Sequence, residues 1–258
     1  MSTEPSRAGV YVFLFGHQDD EFAVFRHLEL LVAQSQQVRC IYLTDGSARG
    51  SSPALRAAES TRVLGAIGIP PDSITFLGTS EGLRDGHLHE VMLRARDALL
   101  RALGSTPVAA LYLPAWEGGH HDHDSTHAIG LQVGRSLGVT GLFQYPLYNG
   151  ATTRGPWFSI LRPLPANGPV VNARFTLSAS VRYIRWCLAY RTQWRTWMGL
   201  LPFLAWRLML ERSMPLQPCR MERLEDRPHP GPLYYERRFG VPFQAVASAT
   251  AELKAAST

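Results

Sequence analysis

Lysine is almost missing. Lys254 is the only one in 258 residues, so the formal net charge of +5 rests on arginine. That bias reads as an arginine-preferring genome rather than a nucleic-acid surface, and a basic balance alone names no partner. Cysteine is scarce too. Cys40, Cys187 and Cys219 are odd in number, far apart and form no C-x-x-C pair. They exclude a disulfide scaffold and leave reduced thiols in a cytoplasmic setting as the default. No long apolar run stands before residue 10, so no secretion signal is expected. The most apolar later stretch, residues 197–210, contains Pro202 and Arg207. It is shorter than the ~20 residues a spanning helix needs. Internal repeats and low-complexity tracts are absent as well. What is present is the composition of a folded globular protein, long enough for one large α/β domain or a domain with an appendage.

Strand and helix signals alternate through about residue 150. The run Val10-Tyr11-Val12-Phe13-Leu14-Phe15 reads as a buried strand, and Phe22, Phe25, Leu28 and Leu31 follow at helical spacing. Residues 38–43 read as a second strand. Ser52 then caps a helix with Pro53 at its first position, stopping near Gly65 or Gly68. Strand three is expected at 74–77, a helix at 91–103, strand four at 108–113, a helix at 125–137 capped by Asp124 or Ser125, and strand five at 142–145. This alternation implies an α/β fold, a Rossmann-like and mostly parallel sheet with helices on both faces. The pattern then changes. Residues 151–170 read as a loop, 170–177 as a strand, 178–198 and 203–212 as helices, 215–232 as an irregular proline-rich segment, 233–236 as a last strand and the end as a frayed tail. We expect a single domain over 1–258, with a site-bearing core at 1–150 and a C-terminal helical and strand extension at 151–258 capping it.

Two clusters carry the chemistry. Gly16-His17-Gln18-Asp19-Asp20-Glu21 follows the first strand, at the carboxyl end where open parallel sheets place their sites. Glu117-Gly118-Gly119-His120-His121-Asp122-His123-Asp124 follows the fourth, and four of the nine histidines lie between positions 120 and 127. Either cluster alone could be a solvated turn. Together they suggest one metal site. Imidazole and carboxylate donors suit zinc, with iron or another divalent metal as an alternative. Of two adjacent aspartates, one can bind the metal while its neighbour faces water. A bound metal lowers the pKa of water towards ~7, within reach of a carboxylate base.

These residues, with Thr44-Asp45-Gly46, Arg56-x-x-Glu59 and Asp85-Gly86-His87-Leu88, resemble the ordered motifs of the PIG-L/LmbE-like N-deacetylases. The resemblance covers residues 10–150 and continues weakly through Arg182, Gln193 and Glu236. It implies a zinc-dependent hydrolase that removes an acetyl group from an N-acetylated amino sugar, whether a GlcNAc-type glycoside, a sugar nucleotide or a lipid-linked sugar. On that pattern His17, Asp20 and His123 bind the metal and Asp19 is the general base. His120 donates to the oxyanion, Asp122 orients or charge-stabilises a histidine, and Arg56 and Asp85 are candidate substrate contacts. The sequence departs from the family at Gln18 and His121, where proline is usual, and His121 competes with His123 as a ligand. A metal- and sugar-binding protein without turnover is the alternative. A second alternative lays the arginine- and tryptophan-rich segment 182–212 on a membrane surface, peripheral rather than spanning. Packing that segment on the sheet with arginines outward is the preferred reading. No nucleic-acid partner is expected, and the sequence leaves the oligomeric state open.

Overall fold

Side-chain alternation along two strands sets the architecture. The first strand, β1 (Val10–Phe15), turns Phe13 and Phe15 to one face of a sheet and Val12 and Leu14 to the other. The protein is seen here as a computed structural model that describes residues 9–153 and 157–256. After β1 come a 3-10 turn at Asp20–Ala23, α1 (Phe25–Ala33), β2 (Val38–Tyr42), α2 (Pro53–Ile67), β3 (Ile74–Phe76) and α3 (Leu77–Glu81). Then follow α4 (Met92–Leu103), β4 (Val108–Pro114), α5 (His121–Ser136) and β5 (Gly141–Tyr145). Beyond them lie the short pair β6 (Tyr148–Asn149) and β7 (Ser159–Ile160), then β8 (Val171–Arg174), α6 (Leu177–Cys187), α7 (Trp194–Leu210), β9 (Ser213–Pro218), α8 (Tyr234–Phe239) and α9 (Phe243–Ala255).

The main sheet runs in the order β3-β2-β1-β4-β5-β9-β8. Its first five strands are parallel, and β9 and β8 add antiparallel at the far edge. Strand order reverses between β1 and β4, which opens a crevice at their carboxyl ends, where open α/β sheets hold ligands. Residues of α1, α2, α6 and α7 pack on the face of Phe13 and Phe15. Those of α4, α5 and α9 pack on the face of Val12 and Leu14. Helices on both faces are what a parallel sheet buried on both sides requires. The expected fold class is the one found. Among the described residues, no helix is long and apolar enough to cross a membrane.

Several local expectations need correction. The helix after β1 begins at Phe25 rather than Phe22, because a 3-10 turn follows His17–Asp19. The helix after β4 begins at His121, four residues early. Its cap is His120, whose Nδ1 accepts the Asp122 N–H at 3.1 Å. The 178–198 helix breaks after Cys187, and the second helix runs unbroken through Pro202. The proline-rich segment contains β9. Residues 234–239 form a helix, not a strand, with Glu236 reaching back to accept the Leu233 N–H at 2.7 Å. The expected frayed end is α9, which buries Val246 and Leu253. The rest of the 151–170 loop carries β7, and residues 154–156 lie outside the described residues.

Candidate active site

Both clusters sit at the β1/β4 crevice. The β1 strand stops at Gly16, where a Cβ would stand 2.9 Å from His123 Cδ2, so the glycine lets α5 close on the strand end. Gly119 does the same before α5: a Cβ there would lie 1.9 Å from the Tyr148 carbonyl oxygen. Starting α5 at His121 lifts His120 and His123, three apart, towards the same crevice.

His17 is the hub. Its Nδ1 is 3.0 Å from His123 Nε2 and 3.8 Å from Asp20 Oδ2, and Asp20 Oδ1 is 3.1 Å from His123 Nε2. One ligand atom from each of the three lies within 4.8 Å of the others, and all three residues are buried. The opposite edge of the ring, Nε2, is 3.2 Å from Asp85 Oδ1 and 3.2 Å from Asp122 Oδ2. Burial alone would lower the pKa of His17, but Asp85, Asp122 and Asp20 together raise it well above the usual histidine value. Burial would likewise raise Asp20, yet His123 and His17 hold it below the ordinary carboxylate value. These carboxylates favour positive charge at His17, with Asp85 and Asp122 at the Nε2 edge and Asp20 on the Nδ1 side. That field and donor set fit a divalent cation.

Asp19 turns the other way, with its Oδ1 3.2 Å from Arg56 Nη2. Its φ of 143° lies in a region that favours glycine, a strain of roughly 1–3 kcal/mol of the kind that collects at functional sites. Burial pushes its carboxyl up to about 7, against the pull of Arg56. Arg56 is itself buried. It also donates to the carbonyls of Gln18 at 2.8 Å and Gly46 at 3.0 Å, and it meets Asp85 Oδ2 at 3.3 Å. The two residues expected to meet substrate thus face each other and the His17–Asp19 turn. Gln18 donates from Nε2 to the Thr44 carbonyl at 3.0 Å, tying the turn to the end of β2.

The remaining motifs support this turn. Asp122 Oδ2 accepts the Gly86 N–H at 2.6 Å and Oδ1 the Leu88 N–H at 3.0 Å, so it binds the 85–88 loop as well as His17. Burial would raise Asp122, but His17 and His120 keep it ionised. Asp45 Oδ1 accepts the Asp85 N–H at 3.0 Å. Burial, with His17 beside it, drives His120 well below the usual value, so its ring is neutral. Because Nδ1 accepts the capping bond, the single proton of that neutral ring sits on Nε2. His121 is directed elsewhere. Its Nε2 donates to the Gly86 carbonyl at 2.8 Å, while His123 stands beside His17 and Asp20. Glu59 is spent on the second half, accepting from Thr192 N and Oγ1 at 3.0 and 2.6 Å. Arg182 pairs with Glu29.

Two neighbours escaped the sequence reading. The Phe239 ring packs on His120 at 4.6 Å, and the Tyr148 ring packs on His123 at 5.6 Å. Phe239 lies in the stretch read as a frayed tail and Tyr148 just past the fifth strand, and no local pattern announces such a contact.

Residues 12–133 match the model of the family described as PIG-L: GlcNAc-PI de-N-acetylase. Over those residues the α/β core is similar to the PIG-L family. All the residues of both clusters fall within the matched PIG-L segment, while α6 to α9 lie beyond it. Comparison with curated proteins finds no match. Among solved structures, the conserved protein TT1542 from Thermus thermophilus is 19% identical, with a TM-score of 0.59 over 80% of this chain and 93% of that one. The A40926 pseudoaglycone deacetylase Dbv21 is 18% identical, with a TM-score of 0.59 over 83% and 97%. The N,N'-diacetylchitobiose deacetylase from Pyrococcus horikoshii is 16% identical, with a TM-score of 0.57 over 82% and 84%. At these identities the likeness is one of fold, and it extends well past the PIG-L core.

Proposed function

We propose that the protein is a metal-dependent amide hydrolase that removes the acetyl group from an N-acetylated amino sugar. One observation carries the reading: the ligand atoms of His17, Asp20 and His123 converge while Asp19, on the same turn, is held apart in strained backbone. The PIG-L match and the deacetylase names of two structural neighbours support the substrate class.

His17, Asp20 and His123 would hold the metal, for which zinc is our first choice and ferrous iron the alternative. When bound, such an ion polarises an amide carbonyl and acidifies water. Asp19 takes the proton from the attacking water and passes it to the departing amine. A carboxyl with a pKa of about 7 suits both duties near neutral pH. Arg56 holds the Asp19 carboxylate in place. His120, neutral with its proton on Nε2, donates to the oxyanion of the tetrahedral intermediate. Asp122 fixes the His17 ring from its far edge. Arg56 and Asp85 are the candidate substrate contacts; both side chains are buried, and Arg56 is bonded to Asp19, Asp85 and the Gln18 and Gly46 carbonyls. A plain sugar binder would gain nothing from the strain at Asp19, which favours a catalyst.

The test is mass spectrometry of N-acetylglucosaminides, sugar nucleotides and lipid-linked acetamido sugars, with protein stripped of metal and reloaded. Release of the free amine and acetate only after reloading is expected. Metal bound stoichiometrically with no amine released from any class would overturn the reading.

A further inference from the structure

The chain contains 21 acidic residues, yet residues 125–210 have none and carry nine arginines. Within that span, α7 is amphipathic in an unusual sense. It buries Trp197, Leu200, Leu204 and Leu208 against the core. Its other face puts Trp194, Met198, Phe203, Trp206 and Leu210 into solvent, with Met198 64% and Trp206 71% exposed. A row of large apolar side chains along one outward helix face is the kind of patch that soluble surfaces avoid unless it meets something.

The surroundings say what it meets. Arg191 and Arg195 flank the start of the helix, Arg212 follows its end, and Arg185 projects from α6; all four are exposed and, among the described residues, make no ion pair. Arg195 lies over the Trp194 ring at 5.3 Å. Glu211, the first acid after the span, is engaged by Arg207 at 2.7 Å and Arg162 at 3.9 Å. Tryptophans and aliphatics along a helix bordered by free arginines suit the boundary between lipid headgroups and acyl chains, and an anionic surface supplies the opposite charge. A second copy would bring the same arginines face to face. A nucleic acid would find stacking for its bases but no use for Met198 and Leu210.

We propose that the outward face of α7 docks on an anionic lipid bilayer. The surface is connected to the active site. Phe203 packs on Phe158 at 6.1 Å, Phe158 on Tyr148 at 5.7 Å and Tyr148 on His123 at 5.6 Å. Docking therefore sets the lipid surface against one wall of the crevice. The proposal stands without the hydrolase reading, since its test measures binding alone.

The full-length protein is sedimented with vesicles of phosphatidylcholine and phosphatidylglycerol, and with phosphatidylcholine alone. It should pellet with the first, stay in solution with the second, and release as salt rises. Arg191→Gln and Arg195→Gln should each weaken binding about fivefold, the equivalent of roughly 1 kcal/mol per arginine at an anionic surface. Met198→Ser with Trp206→Ser should abolish pelleting with melting temperature unchanged, because both side chains are exposed. Arg94→Gln, on the opposite face of the sheet, should bind as the parent does. The proposal fails if the parent ignores anionic vesicles, or if the α7 variants bind equally well. It also fails if light scattering shows a dimer that Trp206→Ser dissolves, or if the protein retains single-stranded RNA but not vesicles.

Discussion

The two halves of the chain are built on opposite terms. Through β5, ionisable groups are buried: Asp20, Glu21, Arg56, Glu59, Asp122 and Asp124 are all inside. From α6 to the end of α7 there is no acid at all, and arginines face outward. Buried charge is costly and is kept where opposite charge or chemistry uses it. The first half gathers it around the candidate site. The second half contributes aromatic packing, the sheet edge and a surface. The halves meet along a polar seam, where Glu59 holds Thr192, Glu29 holds Arg182 and His27 Nε2 donates to the Met214 carbonyl at 3.1 Å.

The difference can be broken from the side of the chemistry. Asp19→Asn should lower kcat by roughly 10²- to 10⁴-fold, the usual worth of a positioned base, while metal content by mass spectrometry stays near the parent's. Full activity in that variant would remove Asp19 from its role. His123→Ala should lose the metal and His121→Ala should keep it, since only His123 stands beside His17 and Asp20. The reverse pattern would shift the ligand assignment by two residues.

The seam gives smaller effects. Burial outweighs the bond to Met214 and holds His27 down at about 4, against an ordinary value of 6.5. The unfolded chain takes up a proton below about 6.5 while the folded chain does not. The histidine therefore subtracts stability as the pH falls through that window, by up to about 3 kcal/mol. His27→Gln keeps an N–H donor and does not titrate. Denaturant melts should show the parent losing ground to this variant between pH 6.5 and 4, and parallel curves would refute the assignment. Glu59→Ala leaves two Thr192 donors without their partner and should cost about 1–3 kcal/mol. Activity per folded molecule should not change.

Legibility follows the same division. In β1 to β5, apolar runs and turn residues agree, so strands, parallel order and both clusters could be read locally. The cap of α5 could not. Asp124 is a good capping residue, but its carboxylate folds back onto the Glu117 and Gly118 N–H groups at 3.2 Å, and a histidine caps instead. In the second half, local signals pointed the wrong way. Pro215 and Pro218 argue against a strand, yet β9 pairs with β5 and β8, with Gln144 Nε2 bonding the Pro218 carbonyl at 3.0 Å. Pro202 argues for a break, yet it lies on the exposed side of α7, where water can satisfy the freed Met198 carbonyl. Tyr234-Tyr235 has strand propensity, and Glu236 overrides it by bonding the helix start.

The backbone at Asp19 has a consequence for any laboratory selection. Glycine adopts a φ of 143° at less cost than aspartate, so heat screening alone should favour Asp19→Gly early and reward it with a higher melting temperature. The survivors would be sturdier and inert. Screening for heat resistance and turnover together should leave this position untouched and move the improvements elsewhere.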